Sequence, residues 1–168
     1  MNTDEDFTFF YRSPLGQWNK KEFIVNRVEY NCAEQYMMAQ KALLFRDFDA
    51  FAAIMKEESA KNQKAMGRLV KNFDSTIWDM NAKRIVFDGN YAKFTQNEDL
   101  QKLLLDTVGT TLVEASPIDK IWGIGLGEDD PRSLNRSEWQ GLNWLGEVLV
   151  SVRDRILSEN IYHMSGSA

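Results

Sequence analysis

Hydrophobic residues recur at spacings of three and four near the end of the sequence, a pattern typical of a helix that buries one face. The residues of this stripe are Leu142, Leu145, Leu149, Val152 and Ile156. They predict a final helix over Leu142 to Leu157. Two segments near the start, Phe7 to Tyr11 and Glu22 to Tyr30, are rich in aromatic and β-branched residues and predict short strands. Asn26-Arg27 is expected to turn the second segment back as a hairpin.

Helical patterns fill the middle of the sequence. Four expected helices are Cys32 to Phe45 with Asn31 as N-cap, Phe48 to Glu58, Ala60 to Asn72 and Glu98 to Val108. Another helix is expected to start at Asp74 or Ser75, and Gly89 is its weak point. Few strands among many helices predict an α+β fold: a single compact, mainly helical domain with a small β-sheet. We expect this domain over residues 1–158, followed by a flexible C-terminal tail over residues 159–168.

The helix expected from Cys32 places an acid and a lysine on one face. At 100° per residue, Lys41 lies about 20° from Glu34 around the helix axis. The apolar residues beside them are Met37, Met38 and Phe45. Buried charged groups need partners or a function. A capping box closed by Asn31 would explain Glu34, and a salt bridge or an extended reach to the surface would explain Lys41.

A second informative segment follows a β-prone run over residues 110–113. It contains a carboxylate and a tryptophan in the pattern Asp119-x-x-Trp122, and then three glycines at alternate positions, Gly123, Gly125 and Gly127. Glycine at that spacing allows a ligand to approach the backbone closely, or allows positive φ angles. The segment fits a sugar or base platform beside a fixed charge. It fits a core tryptophan followed by a flexible loop equally well.

Charge and composition limit the classes of function. The 168 residues carry a net charge of −5 and a sequence pI near 5.0, which argues against a general nucleic-acid-binding surface. The basic residues of a local strip at helical spacing are Lys61, Lys64, Arg68 and Lys71, for which a solvated helix face is the favoured explanation. Cys32 and His163 are the only residues of their types, which excludes a disulfide framework, a cysteine-based metal site and Ser-His-Asp or Cys-His catalysis.

The sequence also predicts a location. No apolar run approaches the ~20 residues that span a bilayer. The first six residues are acidic and lack the basic and apolar regions of a signal peptide. We therefore expect a cytoplasmic protein with no membrane partner.

A series of motifs in fixed order connects this chain to a known family. The motifs are Ser-Pro-Leu-Gly-Gln-Trp over 13–18, Tyr-Asn-Cys-Ala-Glu-Gln-Tyr-Met-Met-Ala-Gln-Lys-Ala over 30–42, Met66-Gly67-Arg68, Gly89-Asn90, Leu-Val-Glu-Ala over 112–115, Asp119-x-x-Trp122-Gly123 and Trp139-x-Gly141-x-Asn143-x-Leu145-Gly146. Over about residues 7–157 the chain resembles the NADAR family, also described as YbiA-like. The resemblance implies a compact, mostly helical α+β fold and an N-glycosidic activity.

The resemblance also implies site residues. Its matching positions predict Glu34, Lys41 and Asp119 as catalytic. The predicted substrate-binding residues are Trp18, Trp78, Trp122, Gly123, Arg68 and Asn143. The chain has Gly16 where the family often has serine, and it lacks a glycine that the family has near the hairpin turn.

The chemistry of these residue types suits cleavage of a ribosyl C–N bond. Positive charge develops on the sugar ring, and Asp119 would stabilise that charge or activate water. Glu34 would act as an acid. The amine of Lys41 would form a Schiff base with ring-opened ribose; if water attacks directly instead, Lys41 would pair with a phosphate or carboxylate.

The predicted function is that of an N-glycosidase that removes ADP-ribose from ADP-ribosylated guanine in DNA or RNA. The alternatives are an N-glycosidase acting on phosphorylated riboflavin-biosynthesis intermediates, and a non-catalytic module that binds ADP-ribose or NAD. None of these routes requires a metal or a cofactor. The sequence leaves the oligomeric state open.

Overall fold

The computed structural model describes residues 5–166. These residues divide into two compact units. The central unit comprises residues 17–97, and the terminal unit comprises the residues up to 16 together with those from 98 onward. Helices outnumber strands in the described residues, so the mainly helical α+β prediction is confirmed.

The central unit consists of a hairpin and four helices. Its elements are β2 (Phe23–Val25), β3 (Val28–Tyr30), α1 (Ala33–Leu44), α2 (Phe48–Lys56), α3 (Ala60–Gly67) and α4 (Ser75–Gln96). The two strands are antiparallel, with Phe23 opposite Tyr30. Asn26 and Arg27 both have positive φ angles, 50° and 68°, which confirms the predicted hairpin turn. Helix α1 packs against α2, α3 and α4 and forms the centre of the unit.

Two glycines permit this close packing around α1. A Cβ atom on Gly89 of α4 would lie 2.5 Å from the Tyr36 ring, and one on Gly67 of α3 would lie 1.9 Å from the Met38 sulfur. Glycine is unfavourable inside a helix, and Gly89 was therefore the expected weak point. In the structure α4 is continuous through Gly89. The missing side chain brings α4 against α1.

The terminal unit has a different construction. Its elements are β1 (Phe7–Phe10), α5 (Glu98–Leu105), β4 (Thr111–Glu114), two 3-10 turns (Pro131–Leu134 and Arg136–Glu138) and α6 (Trp144–Ser165). Strands β1 and β4 pair in parallel, with Phe7 opposite Thr111. Helix α6 packs on β4. A separate apolar cluster centres on Val113, Ile124 and Leu126.

Helices α3 and α5 both end before their predicted positions. Helix α3 ends at Gly67, because the chain turns from Arg68 onward and reaches a positive φ of 60° at Asn72. Helix α5 ends at Leu105, where the Thr107 hydroxyl donates to the Leu104 carbonyl. Because α3 ends early, the basic residues expected to form a strip on one helix face do not share a single helix.

The final helix is displaced at both ends from its predicted range. It begins at Trp144, since Asn143 takes a left-handed conformation with φ of 55°. It runs to Ser165, so residues 159–165, expected in a flexible tail, are helical. No glycine or proline interrupts the sequence between Leu157 and Gly166, and the helix therefore extends past its last buried residue, Ile156, with exposed side chains.

Candidate functional site

Helix α1 begins one residue later than the sequence predicts. The N-cap is Cys32, whose sulfur accepts a hydrogen bond from the backbone N–H of Gln35 at 3.4 Å. The Gln35 side-chain oxygen accepts the backbone N–H of Asn31 at 2.8 Å. Asn31 is therefore not the N-cap, and its N–H is bound by Gln35, so the predicted capping box between Asn31 and Glu34 is wrong. Glu34 lies at the second helical position, 5% exposed, and its backbone N–H donates to the Gln17 carbonyl at 2.9 Å.

Lys41 lies two helical turns beyond Glu34, and the electrostatics connect the two side chains. Burial lowers the pKa of the Lys41 amine, the nearby Glu34 carboxylate opposes that shift, and the Arg68 guanidinium adds to it. Glu34 and Arg68 are thus both close enough to influence Lys41. A lowered pKa increases the fraction of neutral, nucleophilic amine at a given pH.

Two aromatic rings also lie close to the Lys41 amine. The Nζ atom lies 4.5 Å from the centroid of the Phe73 ring and 5.5 Å from that of Trp78. Trp78 is 9% exposed on the first turns of α4, while Phe73 is 46% exposed just before that helix. The central unit therefore brings together four of the predicted residues, Glu34, Lys41, Arg68 and Trp78. We call these four residues with Phe73 the Lys41 cluster.

Phe73 was missed by the sequence reasoning. It lies in the irregular segment between α3 and α4, where no helical or strand period predicts which way a side chain points. Its ring also packs edge-on against Phe45 of the α1 C-cap, with centroids 5.3 Å apart. The signal available in the sequence was a large aromatic next to the helix-capping Asp74, which is not specific.

Trp18, another predicted binding residue of the central unit, is 42% exposed. It follows Gln17, which contacts three other residues. Gln17 accepts a hydrogen bond from Asn90 of α4 at 2.8 Å, accepts the Glu34 backbone N–H, and directs its amide at the Met37 sulfur at 3.8 Å.

In the terminal unit, Asp119 organises a tight turn. Its Oδ1 atom accepts the backbone N–H groups of Ile121 at 3.0 Å and Trp122 at 2.8 Å. Its own N–H donates to the Ser116 hydroxyl at 3.1 Å, and its carbonyl accepts the N–H of Gly125. One oxygen of the Asp119 carboxylate therefore has a structural role in the turn. The catalytic role stays a prediction.

Of the glycines after Trp122, Gly123 is required for packing. A Cβ atom on Gly123 would lie 2.9 Å from the Glu114 carbonyl and 2.9 Å from the Ser116 Cβ, so only glycine fits there. The N–H groups of Ile124 and Gly125 donate to carbonyls of Glu114 and Asp119. These two groups are therefore not directed at a phosphate, as a phosphate-binding loop would require.

Trp122 and Asn143, the other predicted residues of this unit, also make internal contacts. The half-buried Trp122 ring packs edge-on against Trp144, with centroids 5.6 Å apart. Asn143 is 1% exposed; its amide donates to the Leu112 carbonyl at 3.0 Å and accepts the Glu114 N–H at 3.0 Å. The Asn143 side chain thus joins the start of α6 to β4, which is a structural role.

Residues 5–166 offer neither a cluster of metal-binding side chains nor a membrane-spanning helix. Those residues contain no group of three or more histidine, cysteine, aspartate or glutamate side chains arranged to hold a metal ion. Among the helices in that range, none combines the length and apolarity needed to cross a membrane.

Comparison with known proteins gives a consistent result. The model of the NADAR domain matches residues 3–157, which agrees with the resemblance seen in the motifs. An N-glycosidase of Acanthamoeba polyphaga mimivirus is 48% identical over 167 residues, covering 92% of this chain and 98% of the viral protein. The chloroplastic riboflavin biosynthesis protein PYRR of Arabidopsis thaliana is 28% identical over 142 residues, covering 84% of this chain and 20% of the plant protein.

A solved structure supports the fold. The NMR structure of the Escherichia coli protein YbiA matches with a TM-score of 0.77 and 24% identity, covering 95% of this chain and 90% of YbiA. At that identity the likeness concerns the fold.

Proposed function

The chain belongs to the NADAR family, and from that premise we propose that it is an N-glycosidase that removes ADP-ribose from ADP-ribosylated guanine in nucleic acid. The similarity to a viral N-glycosidase along nearly the whole length of both proteins supports the reaction class. The single observation that carries the proposal is the Lys41 cluster, in which an amine of lowered pKa lies near a buried acid.

The cluster supplies the groups that a covalent route needs. The neutral Lys41 amine would attack the anomeric carbon of the ribose while the bond from that carbon to the guanine nitrogen breaks. Glu34, in its protonated form, would supply the proton that the departing base takes up. The first product is a glycosylamine in which the ribose ring is still closed. The bond from the anomeric carbon to O4′ would then break, with O4′ taking up a proton and the Lys41 nitrogen losing one, which gives a Schiff base that carries an opened ribose. Water then adds to the imine carbon, the amine of Lys41 leaves, and the free sugar closes its ring.

The other members of the cluster would recognise the substrate. Trp78 and Phe73 present aromatic surface beside the amine, suited to a ribose or base. The exposed Arg68 guanidinium would bind a phosphate of the pyrophosphate. Arg68 would then have two effects, since it also favours the neutral form of Lys41.

The test is direct incubation with defined substrates. ADP-ribosylated guanosine is supplied free and within an oligonucleotide, and release of ADP-ribose is followed by mass spectrometry. We expect release by the native protein and loss of release with Lys41→Ala. Binding of ADP-ribose without any release would favour a non-catalytic module instead.

A second candidate is cleavage of phosphorylated riboflavin-biosynthesis intermediates. The similarity to the plant riboflavin biosynthesis protein favours it. The same bond class breaks in this reaction, so the Lys41 cluster would act in the same way. Faster turnover of these free metabolites than of either guanosine substrate would select this candidate.

A further inference from the structure

Asn90 lies one residue after the glycine that brings α4 against α1. Because a Cβ on Gly89 would collide with the Tyr36 ring, the absence of one allows the two helices to approach closely. The Asn90 side chain, 0% exposed, then reaches Gln17 across the contact, with its Nδ2 atom 2.8 Å from the Gln17 Oε1. The same Nδ2 group donates to the Val86 carbonyl of its own helix at 2.9 Å.

The oxygen of the Asn90 amide is buried and has no hydrogen-bond partner among the described residues. Exchanging the amide oxygen and nitrogen would not help, since both Nδ2 contacts are with acceptors. An unpaired buried carbonyl destabilises a fold, so packing does not explain an asparagine here. The hydrogen bond that the Asn90 Nδ2 group donates to Gln17 explains why an asparagine is present.

Gln17 transmits this contact to the candidate acid. Its carbonyl accepts the Glu34 backbone N–H, one of the N–H groups that the first turn of a helix leaves without an intrahelical partner. With its side chain held by Asn90, the Gln17 carbonyl is fixed against the first turn of α1. We propose that Asn90 is a positioning residue, which acts through Gln17 to hold Glu34 in its place on α1. This inference rests on the catalytic role of Glu34 in the proposed function.

A hydrogen-exchange experiment tests the positioning without using the enzymatic activity. Exchange of the Glu34 amide is measured by NMR in the full chain and in the variants Asn90→Ala and Gln17→Leu. We expect exchange of this amide to accelerate about tenfold or more in both. Asn81→Ala is the matched control. Asn81 lies on the same helix and makes the equivalent hydrogen bond to the Ile77 carbonyl, whereas Gln17 is bound by Asn90. Equal exchange in Asn90→Ala and Asn81→Ala would overturn the proposal.

A kinetic cycle tests whether the positioning serves catalysis. Asn90→Ala should lower kcat/KM by about tenfold or more in the native background, as expected when a reacting group is displaced. In the Glu34→Gln background it should change kcat/KM by less than about twofold, because the residue acts through Glu34. An equal loss in both backgrounds would show a general structural role and overturn the proposal. If Asn90→Ala does not fold, Gln17→Leu replaces it in the cycle.

Different results would refute the proposed function and the positioning role of Asn90. A native protein that cleaves none of the substrates would refute the proposed function, while the exchange of the Glu34 amide would still decide whether Asn90 holds α1. A native protein that is active, with Glu34 exchange unaffected by Asn90→Ala, would refute the positioning alone.

Discussion

The Lys41 amine lies 4.5 Å from the centroid of the Phe73 ring, within the range of a cation–π contact. Phe73 is partly exposed, whereas Trp78, whose ring centroid lies 5.5 Å from the same amine, is buried. One side of the amine is therefore bounded by a residue that reaches the surface. If Lys41 is the nucleophile, this arrangement would give a substrate an approach to its amine while the charged form remains partly desolvated.

The covalent route predicts that an adduct can be trapped on Lys41. Borohydride added during turnover would reduce the Schiff base to a stable secondary amine. Peptide mass spectrometry should place the added mass on the peptide that contains Lys41. Lys64→Arg, a change on α3 outside the cluster, should trap as much adduct as the native protein. An active Lys41→Arg variant, with no trapped adduct in the native protein, would instead support direct attack by water.

The influence of Arg68 on Lys41 predicts the direction of a pH shift. The guanidinium lowers the pKa of the amine, so its removal in Arg68→Gln should raise that pKa. The low-pH limb of the kcat/KM profile, where the amine becomes protonated, should therefore move to higher pH. Weaker substrate binding alone would lower the whole curve without moving the limb. Lys64→Gln serves as the charge-matched control, and a limb that stays in place in Arg68→Gln would exclude this coupling.

Glu34→Gln should separate catalysis from stability. Because Gln35 closes the cap, the substitution leaves the N-terminus of α1 intact and should cost about 1 kcal/mol or less in the free energy of unfolding. Turnover should fall by ~100-fold or more if Glu34 transfers a proton. Steady-state kinetics and urea unfolding measure the two effects, with the exposed Glu58→Gln as control. Comparable turnover in a folded Glu34→Gln variant would remove the acid from the mechanism.

The sequence predicts the parts of this protein that follow a regular period. The shared face of Glu34 and Lys41 comes directly from 100° per residue, and both side chains contribute to one cluster. The hairpin turn at Asn26-Arg27 likewise follows from local backbone preference. Such features need only a few neighbouring residues to be specified.

Features that have a weak local signal, or that depend on tertiary contact, were missed. The cap of α1 uses the Cys32 sulfur, and a cysteine is a weak signal beside an asparagine. Gly89 has low helix propensity, but it leaves room for the ring of Tyr36, which comes from a segment about 50 residues away in sequence. The bond between Asn90 and Gln17 depends on that same approach and has no local signature.

Substitutions of Asp119 can separate its hydrogen-bonding role in the turn from the predicted role of its negative charge in catalysis. Asp119→Asn keeps the Oδ1 acceptor for the N–H groups of Ile121 and Trp122, so the turn should survive. Asp119→Ala removes the acceptor and should destabilise the fold by roughly 1–3 kcal/mol. If the charge stabilises the cationic ribose, Asp119→Asn should reduce kcat strongly while calorimetry shows little change in ADP-ribose binding. Near-native kcat in Asp119→Asn would limit the residue to its role in the turn.

Lys93 predicts an unusual pH dependence of stability. This α4 residue is 0% exposed, and burial lowers the pKa of its amine to about 7. The unfolded chain keeps an ordinary lysine pKa, so between pH 7 and roughly 10 it binds more protons than the folded protein. The free energy of unfolding should therefore receive from Lys93 a contribution that rises with pH across this window, by at most about 1.4 kcal/mol per pH unit. Below pH 7 the amine is protonated in both states, and the full cost of burying its charge is present.

The variant Lys93→Met isolates this contribution. Methionine is unbranched and apolar, so it fits the same space without a titrating group, although the contacts of the amine are lost. The slope of unfolding free energy against pH, from urea titrations between pH 7 and 9, is therefore the quantity to compare, and it should be shallower in Lys93→Met than in the native protein. Lys83→Met, an exposed change on the same helix, should keep the native slope. Equal slopes in all three proteins would show that Lys93 does not change protonation in this range.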